Sequence, residues 1–275
     1  MPETHEMVCW PVAMTTPSKP AVSALTWPMA GWWLLGIGLG VLALAGAAVV
    51  WRARRLSHPL AFAGASLFNA LICRLWYRHK RIGPCTVPAQ GPVIIAANHT
   101  SPTDPAILCA ACPYRRIAFL IAREYADLPI WSWFVRLAEC IPVRRDGQDV
   151  AATKAALRHL RSGKALGIFI EGRIPAPDER VEPKEGVALL ALRTGAPVIP
   201  CHISGTVYRE NVAAGFLARH RARIRFGPVV DLSDLAGETD RQAVTRATER
   251  IAARIGDLAP PQDAVRQAGV GAGAA

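Results

Sequence analysis

Residues Pro92-Val93-Ile94-Ile95-Ala96-Ala97-Asn98-His99-Thr100-Ser101-Pro102-Thr103-Asp104 decide how this chain is read. The run from Pro92 to Ala97 is short, continuous and apolar, the pattern of a strand buried on both faces. Immediately after it come a histidine, a tight Ser-Pro-Thr-Asp-Pro turn and an aspartate. Asp104-Pro105 suits the start of a helix, with proline at the first helical position. A side chain released from a strand end into a loop is exposed on a rigid scaffold, where catalytic groups usually sit. On a continuous helix His99 and Asp104 would point about 140° apart, and the turn removes that objection. Asp104 could then accept from one ring nitrogen and leave the other free to take a proton from a hydroxyl. By themselves these residues also fit a structural hydrogen-bonded pair or a helix cap.

The pattern around this segment alternates. Val150 to Leu160 is helical and stops before Gly163, and Ala165 to Ile170 is a second buried strand. Gly186 to Arg193 reads as a helix closed by Gly195, and Pro197 to Ile203 as a third buried strand. Arg221 to Phe226 alternates arginine with Ala, Ile and Phe, as in a half-exposed strand. Asp240 to Ile255 carries Val244, Ala247, Ile251 and Ile255 on one helical side. Strand and helix taking turns predict an α/β domain, with a substantially parallel, mixed sheet flanked by helices. Its bounds are placed at residues 82–258, followed by a disordered Ala/Gly-rich tail at 259–275.

Upstream of the domain the character changes. No charged residue occurs from Ala21 to Trp51, and Met29–Trp51 would span about 34 Å as a helix, enough for a hydrocarbon core. Trp32, Trp33 and Trp51 near its ends suit the headgroup layers. A cleaved signal peptide competes, because Ala45-Gly46-Ala47 resembles a cleavage site. The apolar run is too long for that and the preceding segment, with Glu3, Glu6 and a single Lys19, lacks a basic start. The expectation is therefore a disordered segment 1–28 and a retained transmembrane anchor 29–51. Arg52, Arg54 and Arg55 follow directly, so the positive-inside rule predicts a single-pass membrane protein with its catalytic domain on the cytoplasmic face. Residues 59–81 read as an interfacial amphipathic segment with a basic rim, or alternatively as a core helix of the domain.

The formal net charge of +11 over 275 residues asks for an acidic partner. No nucleic-acid-binding module is present, and an anionic membrane leaflet with phosphate-bearing substrates suits the charge better. Seven scattered cysteines, expected to be free thiols, include one Cys109-x-x-Cys112 that reads as small residues on a helix. No metal site or bound cofactor is indicated. A GxSxG elbow, HExxH and P-loop are all missing, which argues against a serine esterase, a zincin or an NTPase.

Four blocks in order sharpen the reading. Asn98-His99-x-x-x-x-Asp104 resembles the NHxxxxD motif of the glycerolipid acyltransferases, the 1-acylglycerol-3-phosphate acyltransferases and their relatives. Ile141-Pro142-Val143-Arg144-Arg145-Asp146-Gly147 resembles the second motif, Phe169-Ile170-Glu171-Gly172-Arg173-Ile174-Pro175 the third, and Val198-Ile199-Pro200-Cys201-His202-Ile203 the fourth. The resemblance covers roughly residues 60 to 230. It implies His99 as general base, Asp104 as its orienter, and Asn98, Arg145, Glu171, Gly172 and Arg173 as substrate-binding residues. It further implies acyl-CoA or acyl-carrier protein as donor and a lysophospholipid hydroxyl as acceptor, in phospholipid biosynthesis. Ile170 stands where the family usually has proline, and the arginine of the third motif comes one place early at Arg173. That variant is equally similar to the acyltransferases acting on 2-acylglycerophosphoethanolamine, so the acceptor head group stays open. Water as acceptor, a thioesterase reaction, and a non-catalytic membrane-binding protein are the rival readings.

Overall fold

The structure is a computed structural model that describes residues 27–261, except Ser57, Leu128, 145–148, Asp178 and Glu210. The expected disordered stretches at 1–26 and 262–275 lie outside the described residues, as does Arg145. The chain divides after Ala48 into two units.

Helix α1 runs from Trp27 to Leu56 and contains residues 27–48 of the first unit. A helix satisfies its own backbone hydrogen bonds, which is what an apolar surround requires. Trp33, Leu34, Ile37, Leu39, Leu42 and Leu44 are all strongly exposed. The stretch Gly36–Leu56 is long and apolar enough to cross a membrane. The helix continues past Trp51 and carries Arg52, Arg54 and Arg55 on its last turns.

The second unit is built on a seven-stranded sheet in the order β1-β7-β6-β2-β5-β3-β4. The strands are β1 (Lys80–Ile82), β2 (Val93–Ala97), β3 (Ile117–Ala122), β4 (Ile141–Val143), β5 (Ala165–Phe169), β6 (Val198–Ser204) and β7 (Arg223–Phe226). Every neighbouring pair is parallel except β6 with β7. The helices are α2 (Leu60–Leu75), α3 (Asp104–Ala111), α4 (Arg123–Ala126), α5 (Pro129–Leu137), α6 (Val150–Arg161), α7 (Gly186–Thr194), α8 (Val212–Leu217) and α9 (Arg241–Gly256).

Side chains alternate across a strand, so β2 feeds two cores. Ile94 and Ala96 join Leu166, Ile168, Val198 and the buried faces of α6, α7 and α9. Val93, Ile95 and Ala97 join Ile199, Cys201, Ile203, Ile224 and the face of α3. Local chemistry sets the helix ends. Asp149 caps α6 by accepting from Ala152 N–H at 2.9 Å, and Asp240 caps α9 through Ala243 N–H at 2.8 Å. Gly195, at φ +66°, closes α7 in the left-handed conformation.

Residues 59–81 behave in two ways. Ala63 and Cys73 of α2 are buried, and Asn69 Nδ2 donates to Ala106 O on α3 at 2.9 Å. Leu60, Phe68, Leu71 and Leu75 are exposed on the other side of the same helix. One face thus packs on the domain and the other is apolar and uncovered. The helix ends at Leu75, Tyr77 is buried with its hydroxyl donating to Phe216 O at 2.8 Å, and Lys80–Ile82 joins the sheet edge. The basic rim read from sequence is therefore partly sheet.

One glycine fixes how closely the core aromatic rings approach. A Cβ on Gly167 of β5 would sit 3.1 Å from Phe119 Cζ and nearer still to two other ring carbons. Gly167→Ala is expected to lower stability by about 1–3 kcal/mol, the usual cost of overpacking. Gly186→Ala, whose Cβ meets nothing within 4 Å, should be neutral or stabilising. Paired denaturant melts check this, and equal midpoints for the two variants would refute it.

Candidate active site

Strand β2 ends at Ala97 and delivers Asn98 and His99 beyond the sheet. Asn98 donates from Nδ2 to Ile203 O at 2.8 Å and accepts Ile203 N–H on Oδ1 at 2.7 Å. Its amide reproduces one more rung of a β-ladder, stapling the loop to β6. Both ends of the side chain are thereby occupied, which gives Asn98 a positioning role.

The turn brings Asp104 back to His99. Asp104 Oδ2 lies 2.9 Å from His99 Nδ1 and accepts N–H donors from Thr100 at 2.7 Å and Ser101 at 2.8 Å. Asp104 is fully buried, while the His99 side chain keeps 14% exposure. A carboxylate is an acceptor only, so Nδ1 is the protonated nitrogen and Nε2 carries the lone pair. Ser101 O accepts Asp104 N–H at 3.0 Å and the Ser101 and Thr103 hydroxyls bond to each other, which closes the turn. Thr100 is held from β6's side by a short hydroxyl contact with Thr206. Among the described residues no hydroxyl or thiol is hydrogen-bonded to His99 Nε2.

Phe169, at the end of β5, stacks on the imidazole with ring centroids 4.0 Å apart and planes 13° from parallel. Phe119 of β3 lies behind it at 5.9 Å, again near parallel. Sequence reading missed this role: Phe169 reads as an ordinary strand residue, and only the β2–β5 register, Ala97 opposite Phe169, brings it to the histidine.

Two residues on, the backbone N–H groups of Glu171 and His99 lie near the Glu171 carboxyl and favour its charged form. Burial, with the Asp104 charge adding to it, pushes its carboxyl up to about 7 from an ordinary 4.5. Its Oε2 is buried with no partner among the described residues. Gly172 has φ +69°, and a Cβ there would come within 3.3 Å of Lys184 Cγ; glycine permits the turn and the close passage of the Lys184 stem. Arg173 makes a forked ion pair with Glu179. Arg173 in turn pulls the Glu179 carboxyl down to about 2. The sequence-expected set thus falls into a convergent group, Asn98, His99, Asp104, Glu171 and Gly172, and an exposed arginine already carrying a carboxylate partner. Arg145 cannot be placed, being outside the described residues; its neighbour Arg144 is exposed, with its N–H bound to Asp149 at 2.9 Å.

This arrangement has the parts of a base and its orienter at the carboxyl ends of parallel strands. Residues 78–204 match the Acyltransferase family model. The chain is 25% identical over 155 residues to the 1-acyl-sn-glycerol-3-phosphate acyltransferase of Streptococcus pneumoniae, covering 56% of each chain. It is 32% identical over 145 residues to the same-named protein of Borreliella burgdorferi, covering 50% of this chain and 55% of that one. An uncharacterised Mycobacterium tuberculosis protein is 30% identical over 179 residues, covering 59% of this chain and 47% of that one. The chain spans about half the length of these curated relatives. In fold it is similar to the crystal structure of the 1-acyl-sn-glycerophosphate (LPA) acyltransferase PlsC from Thermotoga maritima. The TM-score is 0.52 at 17% identity, over 78% of this chain and 95% of that one. With the four ordered blocks and the shared fold, residues 78–204 match an Acyltransferase domain, and the chain is similar to the glycerolipid acyltransferases.

Proposed function

We propose that the protein transfers a fatty acyl group from a thioester donor, acyl-CoA or acyl-carrier protein, to the hydroxyl of a lysophospholipid of the 1-acylglycerol-3-phosphate class. The observation that carries this is the 2.9 Å contact between His99 Nδ1 and Asp104 Oδ2. It leaves Nε2 basic and, among the described residues, without a side-chain nucleophile, as suits a reaction whose nucleophile arrives on the substrate. His99 Nε2 takes the proton of the acceptor hydroxyl as its oxygen attacks the thioester carbonyl. The tetrahedral intermediate collapses, the C–S bond breaks, and the thiolate leaves with the proton that His99 returns. Asp104 stabilises the imidazolium between those two transfers. Base assistance of this kind is worth about 10²–10⁴ in rate.

Phe169 holds the ring plane and covers one face of it. The raised carboxyl of Glu171 is half protonated near neutral pH, so its buried oxygen can donate to or accept from the acceptor. Arg173, with Arg145, is assigned to the acceptor phosphate; a dianion competes for its fork with Glu179, because both are planar-fork partners. An acceptor of the 2-acylglycerophosphoethanolamine type is the second reading, favoured by the early arginine at 173. The relatives' names support the first. In the cell we assign α1 as a single membrane span, with the arginines after it and the catalytic unit on the cytoplasmic side. The exposed apolar face of α2 lies on the lipid surface.

His99→Ala should lose transfer by about 10²–10⁴ without loss of fold. Asp104→Asn should lose nearly as much, because an amide donor favours the wrong tautomer. The double variant should be no worse than the worse single one, since the pair acts as a unit. Thioester consumption with and without lysolipid measures all three, and near-normal turnover in Asp104→Asn would sink the mechanism. Consumption independent of acceptor would point to a thioesterase instead.

Arg173→Ala should raise the Michaelis constant for the acceptor about tenfold, the loss of one charge-assisted contact, while leaving turnover within a few-fold. A fall confined to turnover would place the phosphate elsewhere.

Glu171 also writes a pH signature. Its folded value is raised, so its contribution to stability is full below about 4.5 and is lost as pH rises through about 7. Glu171→Gln should remove that downward slope. Melts of both proteins from pH 4.5 to pH 8 test this, and parallel curves would show that Glu171 is solvated like any surface carboxylate.

A further inference from the structure

The alternating arginines of Arg221–Phe226 have no part in the dyad chemistry, and the sheet gathers two of them with other cations. Strand β7 lies between β1 and β6, with Lys80 and Ser204 opposite Arg223, and His202 opposite Arg225. Alternation along each strand sends these five side chains to one face of the sheet. The opposite face carries Ile203, Ile224 and Phe226, buried against the α3 core. The five residues, with Leu258 just after α9, line a cleft of about 260 Å³.

The cleft is one-sided in charge. Among the described residues no carboxylate forms an ion pair with Lys80, Arg223 or Arg225. Arg225 Nη1 donates to Leu258 O at 3.3 Å, which aims its guanidinium across the cleft mouth. His202 is only 4% exposed, so an imidazole and a serine hydroxyl form the floor beneath three permanent cations. Like charges on cross-strand neighbours are destabilising, and this fold places Lys80 beside Arg223 with Arg225 two residues on. An anion seated among them would relieve that repulsion. The ammonium, the planar guanidinium forks and the hydroxyl together supply more donors than a monoanion uses.

We propose that this cleft binds the dianion of a phosphate monoester, at a site separate from the acyl-acceptor site. The separation follows from the sheet: the cleft opens on the α9 side, whereas Asp104 begins α3 on the other side. The phosphate can belong to a soluble ester or to a monoester lipid headgroup, and the chemistry recognised is the same. Binding there does not depend on the acyltransfer assignment above.

The test uses the full chain in phosphatidylcholine nanodiscs, titrated with inorganic phosphate by calorimetry. Lys80→Gln combined with Arg223→Gln should weaken phosphate binding by about tenfold or more, since two charge-assisted contacts are lost. Arg223→Lys alone, which keeps the charge, should stay within about threefold. Phosphate should raise the unfolding temperature of the wild type and not that of the double variant, which also reports that the variant folds. In nanodiscs containing phosphatidic acid, loss of the phosphate titration in the wild type identifies a lipid headgroup as the occupant. Its persistence identifies a soluble ester. Equal phosphate affinity in wild type and double variant, or no binding by the wild type at millimolar phosphate, overturns the proposal. Loss of binding in Arg173→Ala but not in the double variant also overturns it, and places the phosphate at the acceptor site instead.

Discussion

A single carboxylate oxygen organises the site. Burying a charged carboxylate costs several kcal/mol unless donors replace its water. Asp104 Oδ2 meets that demand for its own oxygen with three N–H groups, two from the backbone of Thr100 and Ser101 and one from His99, while Oδ1 is buried without a partner among the described residues. The two backbone donors can reach it only if the chain doubles back within the turn, so satisfying the charge dictates the loop. The same carboxylate stands at the first residue of α3, whose flank packs on α2 through Asn69. Loop shape, helix start and imidazole tautomer are thus consequences of one electrostatic requirement.

The sheet supplies the second constraint. Strands β2 and β5 are parallel neighbours with Ala97 opposite Phe169, so continuing both chains by two residues sets His99 beside Glu171. That register explains why the Glu171 carboxyl lies beside the His99 backbone and why Phe169 lies flat on the imidazole. A slip of one residue would turn Phe169 to the other face and undo both contacts. On the far side of β2, Asn98 extends the pairing with β6. The loop bearing the histidine is therefore clamped from both neighbouring strands.

Much of this was legible in the chain because the periodicity was strong. Strands β2 and β5 are uninterrupted apolar runs and β6 is apolar except for His202 and Ser204, and α6, α7 and α9 each announce themselves by one apolar face and a cap. The outer elements were not legible. Lys80–Ile82 and Ile141–Val143 are three-residue edge strands whose composition reads as a basic or motif segment, and Ile117–Ala122 follows two arginines without any turn signal. The pairing of His99 with Asp104 could be argued from the turn alone. The stacking of Phe169 and the Arg173–Glu179 fork could not, since the first depends on strand register and the second on a loop path that no spacing encodes. The family blocks named the candidate residues; only the fold shows that Asn98 spends its amide on β6.

The face-to-face contact of His99 with Phe169 has a spectroscopic consequence. A proton held above the face of an aromatic ring lies in the shielding region of its ring current, whereas one at the edge is deshielded. The other histidine–aromatic contacts among the described residues are edge-on, as for His58 with Phe62, or tilted, as for Tyr77 with His220. The carbon-bound protons of the His99 imidazole that overlie the Phe169 ring therefore stand upfield of their positions in an unstacked imidazole. The nucleus most informative about the chemistry carries its own label, and donor, acceptor or detergent that disturbs the ring stack registers there first.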